Sequence, residues 1–267
     1  MRLVLVPTPI GNLEDITLRA IRALKESDAV GCEDTRRTGI LLKHFGISRP
    51  MIRLDQHTVA NAKRLLQGYK QVAYVTDAGT PGISDPGAEL VALALKEGWK
   101  LEVLPGATAL IPALVASGLP AARFAFEGFL PQKSSERKER LEQIAIGRTV
   151  VLYEAPHRLR DTLQDLISLF GPEHPAALAR ELSKLHEEIW RGSLGEALEY
   201  FQEPRGEFVL VLGPKEPGPE DRGPSAEDLL TRLKGQGLKG KELVKALREA
   251  GVPRNQAYAL AHPPDQK

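Results

Sequence analysis

The 267-residue sequence contains one cysteine, Cys32, which excludes an internal disulfide and a thiolate-rich zinc site. This agrees with a reducing compartment, and Cys32 is expected to be a small buried apolar side chain at a strand end. No apolar run approaches the roughly 20 residues of a membrane-spanning helix. The N-terminal LVLV stops at Pro7, too short for the core of a secretory signal. A cytoplasmic chain without a membrane partner is therefore expected. Net charge is nearly absent, with 36 lysines and arginines against 35 aspartates and glutamates, so only local clusters bear on a polyanionic partner. Asparagine occurs three times against 20 prolines, the balance found in heat-stable chains. A Walker A lysine is missing, which leaves ATP or GTP hydrolysis without support.

What remains is a globular composition, 42% hydrophobic and 27% charged. At roughly 150 residues per domain, the length accommodates one large or two ordinary domains. Short apolar runs bounded by Gly, Pro or Asp predict strands at 3–6, 29–32, 72–76, 101–104, 124–127, 150–153, 176–180, 188–191 and 208–212. Helical periods lie between them, clearest where Leu159, Leu163, Leu166, Ile167 and Phe170 form one stripe. The alternation predicts an α/β fold. GLPAARF (118–124) reads as a connection between an N-terminal α/β domain, 1–118, and a second one, 122–213. Residues 214–224, rich in proline and glycine, read as a linker to a helical tail over 225–267.

The densest motif is VAYVTDAGTPGISDPG (72–87), a strand running into a loop with Asp77, Gly79, Pro81, Gly82, Asp85, Pro86 and Gly87. Glycines at the carboxyl end of a strand let backbone groups approach a ligand closely. A Rossmann dinucleotide site does not follow, because the next strand, LEVL, runs into Pro105 and Gly106 instead of closing on an acidic residue. PTPIGN (7–12), PGATAL (105–110) and YEAPHR (153–158) are further strand-end loops, which a parallel sheet would gather along one edge. In CEDTRRT, Glu33, Asp34, Arg36 and Arg37 are either a solvated helix start or a grip on phosphate and sugar. His157 follows a strand-end loop and has no His or Cys nearby at metal-ligand spacing, so no metal site is expected. The charged runs KSSERKER (133–140), read as a loop, and ARELSKLHEE (179–188) are expected to be solvated faces.

Taken in order, PTPIGNLEDIT, CEDTRRT, DAGTPGISDPG, PGATAL, GFLP, YEAPHRL and ARELSKLHEE resemble the small-subunit ribosomal RNA cytidine-2′-O-methyltransferase branch of the tetrapyrrole methylase superfamily. The resemblance implies two α/β domains of the tetrapyrrole methylase type with a cleft between them for S-adenosylmethionine, a small C-terminal helical module, and a homodimer. It places Pro9, Ile10 and Gly11 near the cofactor, with Asp77, Ala78, Gly79, Thr80, Ile83, Thr108, Ala109, Tyr153 and Glu154. Gly79 and Pro81 match the superfamily's Gly-Asp-Pro, whereas Thr80 replaces its aspartate, as in the RNA-modifying branch.

Methyl transfer to a ribose hydroxyl needs alignment and an acceptor for the hydroxyl proton. Glu33, Asp34, Glu154 and His157 are the candidates for that acceptor, with Arg36 positioning a phosphate. The tail carries eight basic and five acidic residues, and Lys239, Lys241, Lys245, Arg248 and Arg254 are its candidate RNA contacts. Packing of Leu243, Val244 and Leu247 against the body is the alternative role for that module. The expected partner is 16S ribosomal RNA or the small ribosomal subunit, methylated on a cytidine ribose in the decoding region. A tetrapyrrole or diphthine-type methylase, or a non-catalytic RNA-binding assembly factor of the same fold, are the alternatives.

Overall fold

The structure is a computed structural model and describes residues 1–144, 147–215 and 226–262, without the side chain of Ile144. The chain divides into two compact units, one through Lys215 and one beyond it.

The first half of the larger unit alternates β1 (Arg2–Leu5), α1 (Leu18–Glu26), β2 (Ala29–Cys32), α2 (Thr35–His44), β3 (Met51–Arg53), α3 (Ala62–Leu65), β4 (Gln71–Val75), α4 (Gly87–Lys96), β5 (Lys100–Val103) and α5 (Leu110–Ser117). Its strands pair in the order β3-β2-β4-β1-β5, all parallel. Val4, Val30, Ala73 and Val75 pack on one face with Ala20 and Leu24 of α1, while Leu3, Val72 and Tyr74 pack on the other with Leu90 and Ala94 of α4. Strands buried on both faces explain the continuous apolar runs in this half. From adjacent strands, β1 leads through α1 to one side of the sheet and β4 leads through α4 to the other. A crevice opens at the carboxyl end of such a reversal.

The second half contains β6 (Phe124–Phe129), α6 (Ser134–Ile144), β7 (Thr149–Glu154), α7 (Pro156–Phe170), β8 (Pro175–Arg180), β9 (Glu188–Ser193), α8 (Leu194–Tyr200) and β10 (Phe208–Leu212). Its order is β6-β7-β10-β8-β9, parallel only between β6 and β7. YEAPHR therefore leaves a mixed sheet, where one neighbour of β7, the strand β10, runs the opposite way and brings its beginning to this end. α7 and α8 cover one face through Leu159, Leu163, Leu166 and Leu194. The other face is covered by α5, whose Leu110, Ala113 and Leu114 pack on Val151, Ala177, Val209 and Val211. α5 precedes Gly118 in sequence and yet completes the second sheet's core, so the two halves share this helix.

All nine expected strands are present, and β3 is the addition. With Met51 and Arg53 exposed, this edge strand offered no apolar run. KSSERKER, expected as a loop, instead enters α6, and its Arg137 is buried in an ion pair with Asp165 at 2.5 Å.

In the smaller unit, α9 (Ala226–Gly235), α10 (Gly240–Glu249) and α11 (Arg254–Ala261) surround Leu229, Leu243, Val244, Leu247, Val252 and Ala257. The apolar stripe of α10 is thus used within the module itself. Lys239, Lys241, Lys245, Arg248 and Arg254 are all exposed. Of the expected linker, residues 216–224 lie outside the described residues.

Candidate active site

Backbone and side-chain hydrogen bonds tie the loops after β1, β4 and β5 together. Thr8 and Gly79 exchange two backbone hydrogen bonds, at 3.0 and 2.9 Å. The Thr80 hydroxyl donates to the Ala107 carbonyl at 2.9 Å, and the Thr8 hydroxyl donates to the Thr76 carbonyl at 3.3 Å. Gly79 has φ +81°, a left-handed conformation in which a side chain is strained, and Ile10 and the Ala107 carbonyl oxygen lie within 4 Å of where a Cβ would stand. Asp85 organises the remainder of the loop by accepting from the N–H groups of Gly82, Ile83 and Gly87.

Glu33, just past β2, joins this assembly by accepting the Asp77 N–H at 3.1 Å. Burial pushes the Glu33 carboxyl up from the usual range, and the charges of Asp85, Asp77 and Asp55 add to that rise, while the hydrogen bond from Asp77 opposes it. Asp77 Oδ2 lies 3.4 Å from the Arg37 guanidinium. Its Oδ1 is buried and has no hydrogen-bond partner among the described residues.

These loops form one wall of a cavity of about 410 Å³, lined by Ile10, Glu33, Arg37, Thr76 to Thr80, Ile83 to Asp85, Thr108 and Ala109. The second sheet supplies Phe129, Tyr153 to Pro156, and Glu207 to Val209. Antiparallel pairing of β10 with β7 sets Phe208 opposite Glu154 and Val209 opposite Tyr153. Burial pushes the Tyr153 phenol up, and its side chain packs on the cluster that contains Leu110, Ala113 and Leu114 of α5, so it also connects the halves. A second cavity of about 720 Å³ shares Glu33, Asp77, Ser84 and Asp85 with the first and is lined further by Asp34, Asp55, His57 and Glu89.

Most residues that the resemblance placed near a cofactor line the smaller cavity: Ile10, Asp77, Ala78, Gly79, Thr80, Ile83, Thr108, Ala109, Tyr153 and Glu154. Pro9 and Gly11 do not. Gly11 instead faces the loop between β8 and β9, where a Cβ would come within 2.5 Å of Lys184 Cγ and 2.8 Å of the Leu182 carbonyl oxygen. Among the expected catalytic groups, only Glu33 presents a carboxylate there that is not saturated by the protein. Asp34 caps α2 by accepting the Arg36 N–H at 2.8 Å, and the Arg36 side chain folds back onto the same carboxylate at 2.7 Å. That mutual pairing keeps Arg36 out of the cavity, and its neighbour Arg37 lines it instead. His157 is exposed in the first turn of α7, outside the lining. Glu154 turns its carboxylate inward, only 2% exposed, where it accepts from the Thr162 hydroxyl at 2.6 Å and the Ala155 N–H at 2.9 Å, with Arg158 at 3.4 Å.

Phe129 stood in the sequence only within the motif GFLP, without a role of its own, and the start of β10 had no separate signal. FVLVL reads only as a buried strand, and the direction of its pairing alone brings Phe208 to the cavity.

Residues 2–198 match the family description "Tetrapyrrole (Corrin/Porphyrin) Methylases". The chain belongs to the tetrapyrrole methylase family. A Synechocystis member named "Ribosomal RNA small subunit methyltransferase I" is 46% identical, covering 97% of this chain and 96% of its own. A Thermotoga maritima methylase with the same name is 42% identical over 80% of this chain and 99% of its own. Among solved methylase structures, uroporphyrin-III C-methyl transferase from Thermus thermophilus, complexed with S-adenyl homocysteine, is 25% identical, with a TM-score of 0.59 over 80% of this chain and 92% of that one.

Proposed function

We propose that the chain is an S-adenosylmethionine-dependent methyltransferase acting on small-subunit ribosomal RNA. In this reading the acceptor is the ribose 2′-oxygen of a cytidine in the decoding region of the 16S molecule. The observation that carries it is the 410 Å³ cavity, a volume in the range of small-molecule sites, walled by strand-end loops from both sheets. Its left-handed Gly79 brings backbone to the wall, and the buried, unpartnered Oδ1 of Asp77 offers a hydrogen-bond acceptor, features that fit the polar parts of the donor.

When bound, S-adenosylmethionine supplies a methyl group on a positively charged sulfur. The chain's own residues then have to hold an acceptor hydroxyl in line and accept its proton. In this reading Glu33 accepts the proton, which its position in the lining of both cavities and the upward push of burial on its carboxyl support. Asp77 and the loop around Gly79 position the donor, and Tyr153 closes the wall from the second half.

The lining sets one cation, Arg37, against the carboxylates of Glu33, Asp77, Asp85 and Glu207, while that of Glu154 is turned inward onto Thr162. Such a lining disfavours a tetrapyrrole with several carboxylates and suits an uncharged ribose and base, with phosphates remaining outside. Exposed Lys239, Lys241, Lys245, Arg248 and Arg254 supply cations for phosphates in the smaller unit. The homodimer belongs to the same reading, with apolar surface for it at Val103, Ile111 and Val115, exposed by 51, 43 and 71%.

Incubation with labelled S-adenosylmethionine and undermethylated small subunits tests the function. Alkaline cleavage mapping with nucleoside mass spectrometry should find one protected linkage and one 2′-O-methylcytidine, since a ribose methyl blocks cleavage at its own linkage. Transfer to a base, or none to RNA, overturns the reading.

A further inference from the structure

Two large apolar side chains of the cavity lining remain exposed, Ile83 by 38% and Phe129 by 54%. They come from different halves, and the residues beside them meet. A Cβ at Gly128 would stand 2.9 Å from Ser84 Oγ, and both Gly128 and Ser84 have left-handed φ angles, +62° and +65°. Ile83 and Phe129 therefore flank one opening.

Much of the local structure holds Phe129 in this place. Between Phe126, opposite Val151, and Phe129, opposite Tyr153, β6 contains one residue more than β7, a bulge that re-aims the following side chain. Beyond it, the Leu130 carbonyl accepts from Arg158 at 2.7 Å and the Gln132 carbonyl from Arg137 at 3.1 Å. Arg137 is itself only 4% exposed and pairs with Asp165. The Phe129 ring makes an edge contact with Tyr153 at 5.6 Å between centroids. On the other side, Asp85 fixes Ile83 by accepting its N–H at 3.0 Å. An aromatic face kept exposed on a backbone this constrained is unlike a surface phenylalanine left over from folding.

We propose that Phe129, with Ile83 across the opening, is the stacking platform for the base of the acceptor nucleotide. The occupant is planar and uncharged, because both jaws are apolar and the lining behind them is predominantly acidic. A base splayed out of its strand and held between an aromatic ring and an aliphatic side chain meets these conditions. Its ribose then points inward toward Glu33. This assignment rests on the RNA reading of the same cavity and identifies a binding residue within it.

The experiment compares wild type, Phe129→Ala, Phe129→Leu and Phe129→Tyr in the full chain. It measures kcat/KM on undermethylated small subunits and S-adenosylmethionine affinity by calorimetry. Phe129→Ala is expected to lower kcat/KM roughly tenfold or more, from the stacking lost. Phe129→Tyr should restore most of it, and Phe129→Leu, which keeps apolar volume without a π face, should not. Donor affinity should be unchanged throughout. If Phe129→Ala does not fold, Phe129→Leu against Phe129→Tyr carries the comparison. Wild-type kcat/KM in the alanine or leucine variant overturns the proposal, and so does a loss explained by weaker donor binding. Wild type that methylates no small subunit overturns the RNA reading itself, and this proposal with it.

Discussion

Thr8 and Gly79 are joined by a reciprocal pair of backbone hydrogen bonds, each N–H donating to the other's carbonyl. This bridge fastens the loop after β1 to the loop after β4, across the reversal where the first sheet opens. The conformation of Gly79 makes the bridge possible.

Gly79→Val should therefore strain the loop by about 1 to 3 kcal/mol, as other side chains forced into rare backbone regions do. Calorimetry on the folded variant should show weaker S-adenosylmethionine binding. Unchanged affinity would contradict the placement of the donor against this loop.

Glu154 and Thr162 give a prediction about stability. Thr162→Val removes the hydroxyl that donates to the buried Glu154 Oε2. Leaving that oxygen without its donor should cost about 1 to 3 kcal/mol in denaturant unfolding. A cost near zero would show that Arg158 and the Ala155 N–H suffice to hold the carboxylate.

Glu33 should govern a pH dependence in both rate and stability. Burial raises its ionisation in the folded protein above the ordinary value of 4.5, so the folded state holds more protons between those two points. Stability consequently falls as pH rises from 4.5 through the raised value, and Glu33→Gln should flatten that slope. In catalysis the same ionisation should appear as a rate that rises with pH over that window. Glu33→Gln should abolish this limb and lower kcat by roughly 10² to 10⁴, the usual contribution of a positioned proton acceptor. A variant with a wild-type pH profile would remove Glu33 from the mechanism.

Ending the chain at Lys215 should leave S-adenosylmethionine binding intact, because the cavity lies wholly in the larger unit. The relative from Thermotoga maritima aligns over 99% of its own length while covering 80% of this chain. Loss of the seven lysines and arginines among residues 226–262 should nevertheless weaken RNA binding and reduce its salt dependence. Filter binding at several salt concentrations would decide it. Equal affinity and slope for both proteins would leave the helical module without an RNA role.

Local patterns were sufficient for the α/β alternation and for the loops with unusual content. Apolar runs such as LVLV and FVLVL can be buried on both faces only as inner strands, and the density of glycine and proline in DAGTPGISDPG marks a loop of tight backbone turns, which lines the cavity. Ten of the twelve residues expected near a cofactor line one cavity, since parallel strands end along one edge and local chemistry at a strand end is readable from sequence. The contrast between Arg36 and Arg37 was not readable, because it depends on which guanidinium a capping aspartate draws back to the helix. Nor was the fate of Glu154, whose carboxylate points inward toward a threonine two helical turns away.

The sequence by itself determined where the strands, helices and glycine-rich turns form, through periodicity and backbone preference that act within a few residues. The tertiary structure alone decided which chain ends and side chains share a space. Antiparallel pairing of β10 carried Phe208 to the cavity, α5 crossed to the second sheet's core, and a single bulge in β6 precedes Phe129, which lines the same cavity. Each outcome depends on strand direction, register or packing between segments remote in sequence, and no local pattern contains that information.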